Sequence, residues 1–264
     1  MIVSDIDGTL VDEKQNVSKM THDAVDRFMA KGGLFTVATG RMEAAVHRFQ
    51  EKFGLNAPAV LYNGARVVDL ASDRVIHEWK LTALQVGTAV SMIERYPMDM
   101  ILYQDGKAFI KTMTPALSEH AEKDRVVLNE IGSFDSLDPA QITKSLMIGD
   151  NNCFQAFIDE FNNAVELKPE FMQSETDYLE ILPFGVDKGE AVKTLSDYST
   201  VPLSEIICIG DNMNDLGMIK TAGLGIAVEN AHPEVKAAAD MIAPSNLNNG
   251  VADVIDRLLD DTLF

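Results

Sequence analysis

Acidic side chains are concentrated in two short segments, and each segment follows apolar residues. The first is Asp5-Ile6-Asp7-Gly8-Thr9, and the second is Gly210-Asp211-Asn212-Met213-Asn214-Asp215, which follows Ile206–Ile209. Carboxylates held this close together repel one another unless a cation lies among them. Hard divalent cations of the Mg²⁺ type prefer carboxylate and carbonyl oxygens as ligands. The two segments therefore indicate a Mg²⁺ site, provided that the fold brings them together.

Two further features suit an anion. Thr39-Gly40-Arg41 closes an apolar run, and a Thr hydroxyl with backbone N–H groups at a helix N-terminus can bind a phosphate oxygen. Lys188 opens a predicted helix, where the helix dipole disfavours a cation, so this lysine needs a separate reason to be there. Each feature also has an ordinary interpretation, because Thr39 can be a simple helix cap and Lys188 a solvated surface lysine.

The segments around these residues alternate between short apolar runs and amphipathic stretches, a pattern typical of parallel strands linked by helices. The predicted strands are Met1–Ile6, Leu34–Ala38, Ala59–Tyr62, Ala65–Val68, Val75–Trp79, Ile206–Gly210, Leu224–Val228 and Met241–Ala243. The predicted helices are one capped by Ser18, Met42–Phe53, Asp187–Ser196, Asn212–Thr221, Glu234–Ala239 and one from Gly250. Because ligands bind outside the carboxyl ends of such strands, we expect both acidic segments at one sheet edge.

Residues 82–183 have a different pattern. We expect a helix over 82–95, a hairpin around Asp105-Gly106, and helices on one face of an antiparallel sheet. The other predicted elements are a helix at Cys153–Phe161 and strands at Lys144–Ile148, Ala164–Leu167 and Tyr178–Leu182. The predicted fold class is thus α/β, with a doubly wound, mostly parallel, Rossmann-like core at 1–81 and 184–264. Residues 82–183 form an inserted α+β cap domain.

The charge balance excludes several classes of partner. The chain has 264 residues, and 22 Lys and Arg against 41 Asp and Glu give a net charge of -19. Because binding to nucleic acid or anionic membranes begins with clustered basic residues, we expect neither partner. The chain starts without a signal-like segment and has no apolar run long enough to span a membrane, so a cytoplasmic location is expected.

The motifs also occur in a recognisable order. The chain resembles the haloacid dehalogenase superfamily of phosphatases, whose four motifs match Asp5–Thr9, Thr39-Gly40-Arg41, Val186-Asp187-Lys188-Gly189 and Gly210–Asp215. It is most similar to the Cof-like sugar-phosphate phosphatases, through Tyr62-Asn63-Gly64-Ala65, Leu179-Glu180-Ile181, Val228-Glu229-Asn230-Ala231 and the segment from Ser245 to Val251. It departs from them in a first strand of only four residues before Asp5 and in Glu229, where many relatives have Gly.

The resemblance implies a role for each motif residue. Asp5 would be the nucleophile that forms an aspartyl-phosphate, and Asp7 the general acid and base. Mg²⁺ would be bound by Asp5, the Asp7 carbonyl and Asp211, with Asp215 orienting these ligands. The expected phosphate-binding residues are Ile6, Thr39, Gly40, Lys188 and Asn214, and those expected near the substrate are Arg41 and Asn63.

The expected function is Mg²⁺-dependent hydrolysis of small phosphate monoesters, in particular sugar phosphates, by a monomer or weak homodimer. A phosphomutase with a similar cap is an alternative. A phospho-receiver switch is a weaker one, because it needs neither a cap nor the second acidic segment. The cap would set the substrate, and Tyr103, Asp105, Lys107 and Lys111 on the predicted hairpin either face the ligand or are solvated.

The charge is unevenly distributed along the chain. Residues 1–80 carry 10 basic and 11 acidic groups, residues 81–183 carry 7 and 17, and residues 184–264 carry 5 and 13. Only the first segment is nearly neutral. We therefore expect phosphate capture to depend on one divalent cation, Lys188 and backbone N–H groups, and not on the field of the whole surface.

Overall fold

The structure is a computed structural model that describes residues 1–263. Its strands are β1 Ile2–Ser4, β2 Phe35–Val37, β3 Ala59–Leu61, β4 Arg66–Asp69, β5 Arg74–Glu78, β6 Met98–Gln104, β7 Lys107–Ile110, β8 Leu128–Glu130, β9 Ile142–Gly149, β10 Glu170–Glu175, β11 Tyr178–Leu182, β12 Ile207–Gly210, β13 Leu224–Val228 and β14 Met241–Ala243. Its helices are α1 Lys19–Ala30, α2 Glu43–Phe53, α3 Ala83–Ile93, α4 Pro115–Asp124, α5 Phe154–Ala164, α6 Lys188–Ser199, α7 Leu216–Thr221, α8 Pro233–Ala238 and α9 Gly250–Leu259.

The chain divides into two compact units. The first contains Met1–Thr39, His47–His77 and the chain from Asp187 onwards, and the second contains Gly40–Val46 and Glu78–Val186. The predicted α/β class with an added α+β part is confirmed, since one unit has a parallel sheet and the other a largely antiparallel one. The functional division into a catalytic core at 1–81 and 184–264 and a cap at 82–183 stays a prediction.

The first unit is built on a five-stranded parallel sheet with the order β14-β13-β12-β1-β2. β1 has only three residues, yet all of them are buried and it pairs with β12 on one side and β2 on the other. A bridge between Ala38 and Val60 places β3 beside the end of β2. β2 lies on the outer side of β1, whereas β13 and β14 lie on the outer side of β12, so the direction in which strands are added reverses between β1 and β12. The reversal between these two strands is where open α/β sheets bind their ligands.

Helix α1 shows how local sequence fixes an element of this unit. The Ser18 side chain accepts a hydrogen bond from the Thr21 N–H, which confirms the predicted cap. Ala24, Val25 and Phe28 form the buried face of α1, and the helix packs against α9. This spacing is that of an amphipathic helix on a sheet.

The second unit contains a six-stranded sheet with the order β10-β11-β9-β6-β7-β8. All its strand pairs are antiparallel except β7 with β8. The apolar cluster of this unit includes Leu102 of β6, Met92 of α3 and Phe157 of α5. These two helices therefore cover one face of the sheet.

Several elements of the second unit differ from the sequence prediction. The strand predicted at Ala164–Leu167 is wrong, because α5 continues to Ala164 and the strand is β10. Helix α4 and strand β8 were not predicted. His120 of α4 contacts Tyr178, whose side chain lies on the face opposite Leu179, so α4 covers the second face of the sheet.

No helix within residues 1–263 has the length and apolar composition required to cross a membrane.

Candidate active site

Three aspartates meet where β1 and β12 end. The strands pair in register, so Asp5 follows β1 directly beside the Gly210-Asp211 end of β12. Carboxylate oxygens of Asp5, Asp211 and Asp215 all lie within 4.8 Å of one another. Asp5 and Asp215 are buried, and Asp211 is partly buried. The structure thus brings the two acidic segments of the sequence together at one sheet edge.

Lys188 lies against this cluster. Its Nζ is 2.6 Å from Asp5 Oδ1 and 2.5 Å from Asp215 Oδ1, and its side chain is fully buried. Burial lowers the pKa of Lys188, but the carboxylates of Asp215 and Asp5 outweigh it and raise the pKa above its ordinary value. Lys188 is therefore a charged, paired ammonium and not a solvated surface lysine. Two carboxylates explain why a cation stands at the start of α6.

Asp215 uses both of its oxygens. Oδ1 accepts from Lys188, and Oδ2 accepts from the backbone N–H groups of Asp211 and Asn212 at 2.8 and 2.9 Å. A Cβ on Gly210 would lie 2.6 Å from the Asp215 Cβ, so only glycine allows this close approach. The Asp215 carboxylate therefore fixes the backbone of the loop that carries Asp211.

Asp211 is held by the first acidic segment. Thr9 Oγ1 donates to Asp211 Oδ1 at 2.9 Å. Gly8 has a φ of +80°, and a Cβ there would lie 2.4 Å from Asp211 Oδ2. The glycine thus satisfies both the positive φ and the close contact. Thr9 received no separate role from the sequence, although it lies inside the first motif.

The electrostatics of the cluster favour a bound cation. Burial raises the pKa of Asp5 well above its ordinary value, and Asp215 adds to this effect. Burial, with a further contribution from Asp215, raises the pKa of Asp211 to about 6. A divalent cation among the three carboxylates would stabilise their ionised forms. The donor set consists of hard oxygens, so these residues fit a Mg²⁺-type ion.

The other predicted residues of the first unit lie on loops around the strand ends. Asp7 is exposed and forms a bridge with Val11, while Ile6 is buried and its carbonyl accepts from the Leu10 N–H at 2.9 Å. Thr39 is buried and donates its N–H to Val60 O. Asn214 Nδ2 donates to Asn63 Oδ1 at 2.9 Å. Gly40 and the buried Arg41 belong to the second unit.

The chain is similar to known proteins over nearly its whole length. The family model of the haloacid dehalogenase-like hydrolases matches residues 2–255. The chain belongs to this family. This haloacid dehalogenase-like hydrolase is 29% identical over 266 residues to YxeH of Bacillus subtilis, and the match covers 98% of each chain.

A second Bacillus subtilis relative is the 5-amino-6-(5-phospho-D-ribitylamino)uracil phosphatase YwtE. It is 30% identical over 282 residues, and the match covers 98% of this chain and 97% of YwtE. Among solved structures, a haloacid dehalogenase-like hydrolase from Bacteroides thetaiotaomicron superposes with a TM-score of 0.90 at 27% identity, over 97% of this chain and 98% of that one. The protein is a phosphatase of the Cof-like branch of the family.

Two asparagines of this hydrolase hold the loop after Asp7. Asn230 Nδ2 donates to Gly8 O, and Asn246 Nδ2 donates to Val11 O, each at 2.8 Å. The Asn246 N–H also donates to Asn230 Oδ1 at 3.1 Å. Sequence reasoning placed both asparagines in family motifs but gave them no role. Glu229 is exposed next to Asn230.

The second unit contains a buried charge pair that sequence reasoning missed. Lys144 Nζ lies 3.1 Å from Glu180 Oε2, and both side chains are almost inaccessible to solvent. Lys144 also donates to Gly40 O at 3.1 Å, and its Nζ lies 5.1 Å from the centre of the Tyr103 ring. A lysine inside the apolar run of β9 was the available signal.

The four hairpin residues singled out in the sequence have different environments. Tyr103 is buried beside Lys144. Asp105 and Lys107 are exposed in the hairpin, and Lys111 pairs with Glu94 at 2.7 Å. Of the four, only Tyr103 is therefore enclosed by the second unit, and the other three are surface residues.

Proposed function

We propose that this phosphatase hydrolyses small phosphate monoesters with Mg²⁺ and forms a covalent phosphate ester on Asp5, with sugar phosphates as its substrate class. The observation that carries the proposal is the arrangement of Lys188 against Asp5 and Asp215, beside the carboxylate of Asp211. A nucleophilic carboxylate, a buried ammonium and an oxygen-rich cation site at one sheet edge suit phosphoryl transfer.

The proposed ligands of Mg²⁺ are the Asp5 carboxylate, the Asp7 carbonyl and Asp211, with Asp215 orienting the loop. When bound, the ion supplies positive charge that neutralises phosphoryl oxygens and keeps Asp5 ionised. This positive charge matters because, without a bound cation, burial and Asp215 raise the pKa of Asp5.

The reaction proceeds in two displacements. An Asp5 carboxylate oxygen attacks phosphorus, the bond from phosphorus to the ester oxygen breaks, and Asp7 gives its proton to the departing alkoxide. Asp7, now a carboxylate, takes a proton from water as the water oxygen attacks phosphorus. The bond from phosphorus to Asp5 then breaks, which restores the Asp5 carboxylate and releases inorganic phosphate.

Phosphate is held in this proposal by local groups. Lys188 supplies a fixed positive charge, and Thr39, Asn214 and the backbone N–H groups of Ile6 and Gly40 supply hydrogen-bond donors. The buried, paired state of Lys188 supports this role, since a preorganised charge need not reorganise during the reaction. With a net charge of -19, the surface as a whole does not attract phosphate esters.

The sugar-phosphate class is supported by relatives. The name of YwtE describes a substrate with a phosphorylated ribityl chain, and that relative matches nearly the whole of this chain. The second unit would act as the cap that selects the substrate. Arg41 and Asn63 remain the predicted substrate-proximal residues.

A phosphate-release screen tests the proposal. The purified full-length enzyme is assayed with sugar phosphates, polyol phosphates, nucleotides and pyridoxal phosphate, with Mg²⁺ and with EDTA, and Asp5→Asn serves as the inactive control. We expect turnover that requires Mg²⁺ and is fastest for sugar or polyol phosphates. Release limited to nucleotides would refute the substrate class. A need for a catalytic bisphosphate would indicate the phosphomutase alternative.

A further inference from the structure

A short turn of the first unit touches three of the segments that carry the proposed phosphate-binding residues. This turn consists of Tyr62, Asn63 and Gly64, and we call it the 62–64 turn. It follows the carboxyl end of β3. Its contacts with Thr39, Asn214, Asp187 and Lys188 all lie within the first unit.

Asn63 connects two of these segments. Its backbone N–H donates to Thr39 O at 2.9 Å, and its Oδ1 accepts from Asn214 Nδ2, also at 2.9 Å. The Asn63 side chain is fully buried. One residue thus fixes the separation between the loop after β2 and the loop after β12.

Gly64 touches the third segment. It has a φ of +107°, and a Cβ there would lie 2.1 Å from Asp187 O and 3.1 Å from Lys188 N. The peptide that leads into Lys188 therefore packs directly on the turn. No residue with a side chain fits at Gly64 without displacing that peptide.

The backbone of the turn is strained. Tyr62 and Asn63 have consecutive positive φ values of 52° and 54°, and both residues are buried. A left-handed conformation is unfavourable for a residue with a Cβ, and a bulky Tyr adopts it rarely. Such strain persists only where the surrounding contacts determine the conformation, and it is concentrated at functional sites.

We propose that the 62–64 turn is a positioning element of the phosphatase reaction and that Asn63 is its positioning residue. Asn63 orients the Asn214 amide and the Thr39 backbone. Gly64 has no side chain, which lets the Asp187–Lys188 peptide pack directly against the turn. Because its side chain is buried and engaged with Asn214, Asn63 acts through these groups. This inference rests on the proposed function, because Thr39, Asn214 and Lys188 are the groups that would hold phosphate.

The test uses Asn63→Gly, which tolerates the positive φ but removes the amide. Thr200→Gly is the matched control, since Thr200 is exposed at the end of α6 with a φ of 56°. We expect Asn63→Gly to stay folded under the assay conditions, because relief of the positive φ offsets part of the cost of the lost amide, and denaturant unfolding checks this. Its kcat should fall at least tenfold, and its inhibition constant for orthovanadate should rise to a similar extent. Thr200→Gly should keep the wild-type kcat.

A double-mutant cycle with Asn214→Ala identifies the route of the effect. If Asn63 acts through Asn214, Asn63→Gly in the Asn214→Ala background should lower kcat less than threefold.

The outcomes are distinguishable. The inference would be overturned if Asn63→Gly had a kcat and an inhibition constant for orthovanadate within twofold of wild type. It would also be overturned if Asn63→Gly and Asn214→Ala lowered kcat independently, so that their effects multiplied in the double variant. A tenfold loss that merely tracks a loss of folded protein would also overturn it. Failure of the proposed function is a different result, namely a wild-type enzyme that hydrolyses no phosphate ester with Mg²⁺.

Discussion

Lys188 and Asp215 form an ion pair, with 2.5 Å between Nζ and Oδ1, and neither side chain is accessible to solvent. Removing one partner of a buried pair costs about 3 to 5 kcal/mol, because the other charge is left buried. In Asp215→Asn the Lys188 ammonium is still paired with Asp5, so we expect the free energy of unfolding to fall by about 3 kcal/mol, the lower end of this range. Denaturant unfolding measures this loss. A double variant with Lys188→Met should recover part of it, and an unchanged midpoint in Asp215→Asn would contradict the pairing.

Asp5→Asn should separate chemistry from folding. The pKa of Asp5 is raised by burial and by Asp215, so the uncharged amide suits its environment. Without a carboxylate nucleophile, we expect turnover to fall by roughly 10³-fold or more, while the free energy of unfolding stays within about 1 kcal/mol of wild type. Phosphate release and denaturant curves check the two parts. Retained steady-state hydrolysis would exclude Asp5 as the nucleophile.

Removal of Mg²⁺ should abolish substrate binding as well as turnover. Without a cation, the carboxylates of Asp5, Asp211 and Asp215 lie within 4.8 Å of one another and repel an anionic ligand. Calorimetry of the wild-type enzyme with a phosphonate analogue of a sugar phosphate, which it cannot hydrolyse, should show binding with Mg²⁺ and none with EDTA. In Asp211→Asn, the Mg²⁺ concentration for half-maximal activity should rise at least tenfold. Tight substrate binding in EDTA would contradict this electrostatic account.

His120 should make stability depend on pH. Burial, with the charges of Lys144 and Lys123, lowers its pKa to about 4, although an Asp124 oxygen lies 3.5 Å from Nδ1. Between pH 6.5 and 4 the unfolded chain binds a proton that the folded chain does not, so stability falls as the pH falls. The expected loss from this residue is about 2 kcal/mol between pH 6.5 and 5.

The His120→Phe variant is the comparison for this effect, since it keeps a ring against Tyr178. Its free energy of unfolding should fall less steeply than that of the wild type over the same pH range. Parallel pH profiles of the two proteins would show that His120 is not the residue responsible.

Much of the first unit could be predicted from the sequence because its signals are local. Short apolar runs mark the strands, and Ser18 caps α1. Because the carboxyl ends of parallel strands meet at one edge of the sheet, the sequence also predicted that Asp5 and Asp211 lie close together. The distances of Lys188 from Asp5 and Asp215 did not follow, because these three residues are distant in sequence and meet only through tertiary packing. The contact of Asn63 with Asn214 was hidden for the same reason.

The second unit was harder to predict. β10 lies at the edge of its sheet and has several exposed residues, so its sequence lacks an apolar run. The apolar residues of Ala164–Leu167 led instead to a strand predicted there. Helix α4 does carry a local signal, since Thr114 caps it and Pro115 occupies its first turn. The buried pair of Lys144 and Glu180 is invisible to local patterns, because its partners come from different strands.

In the proposed reaction, Asp5 carries the phosphoryl group between the two displacements. Asp7→Asn with an aryl phosphate tests it most directly, because a good leaving group needs no proton while the water step still needs a base. We predict a burst of one equivalent of phenol per active site. After an acid quench, mass spectrometry should find one added phosphoryl group on the peptide that contains Asp5. A burst-free time course with unmodified Asp5 at every quench time would contradict the account.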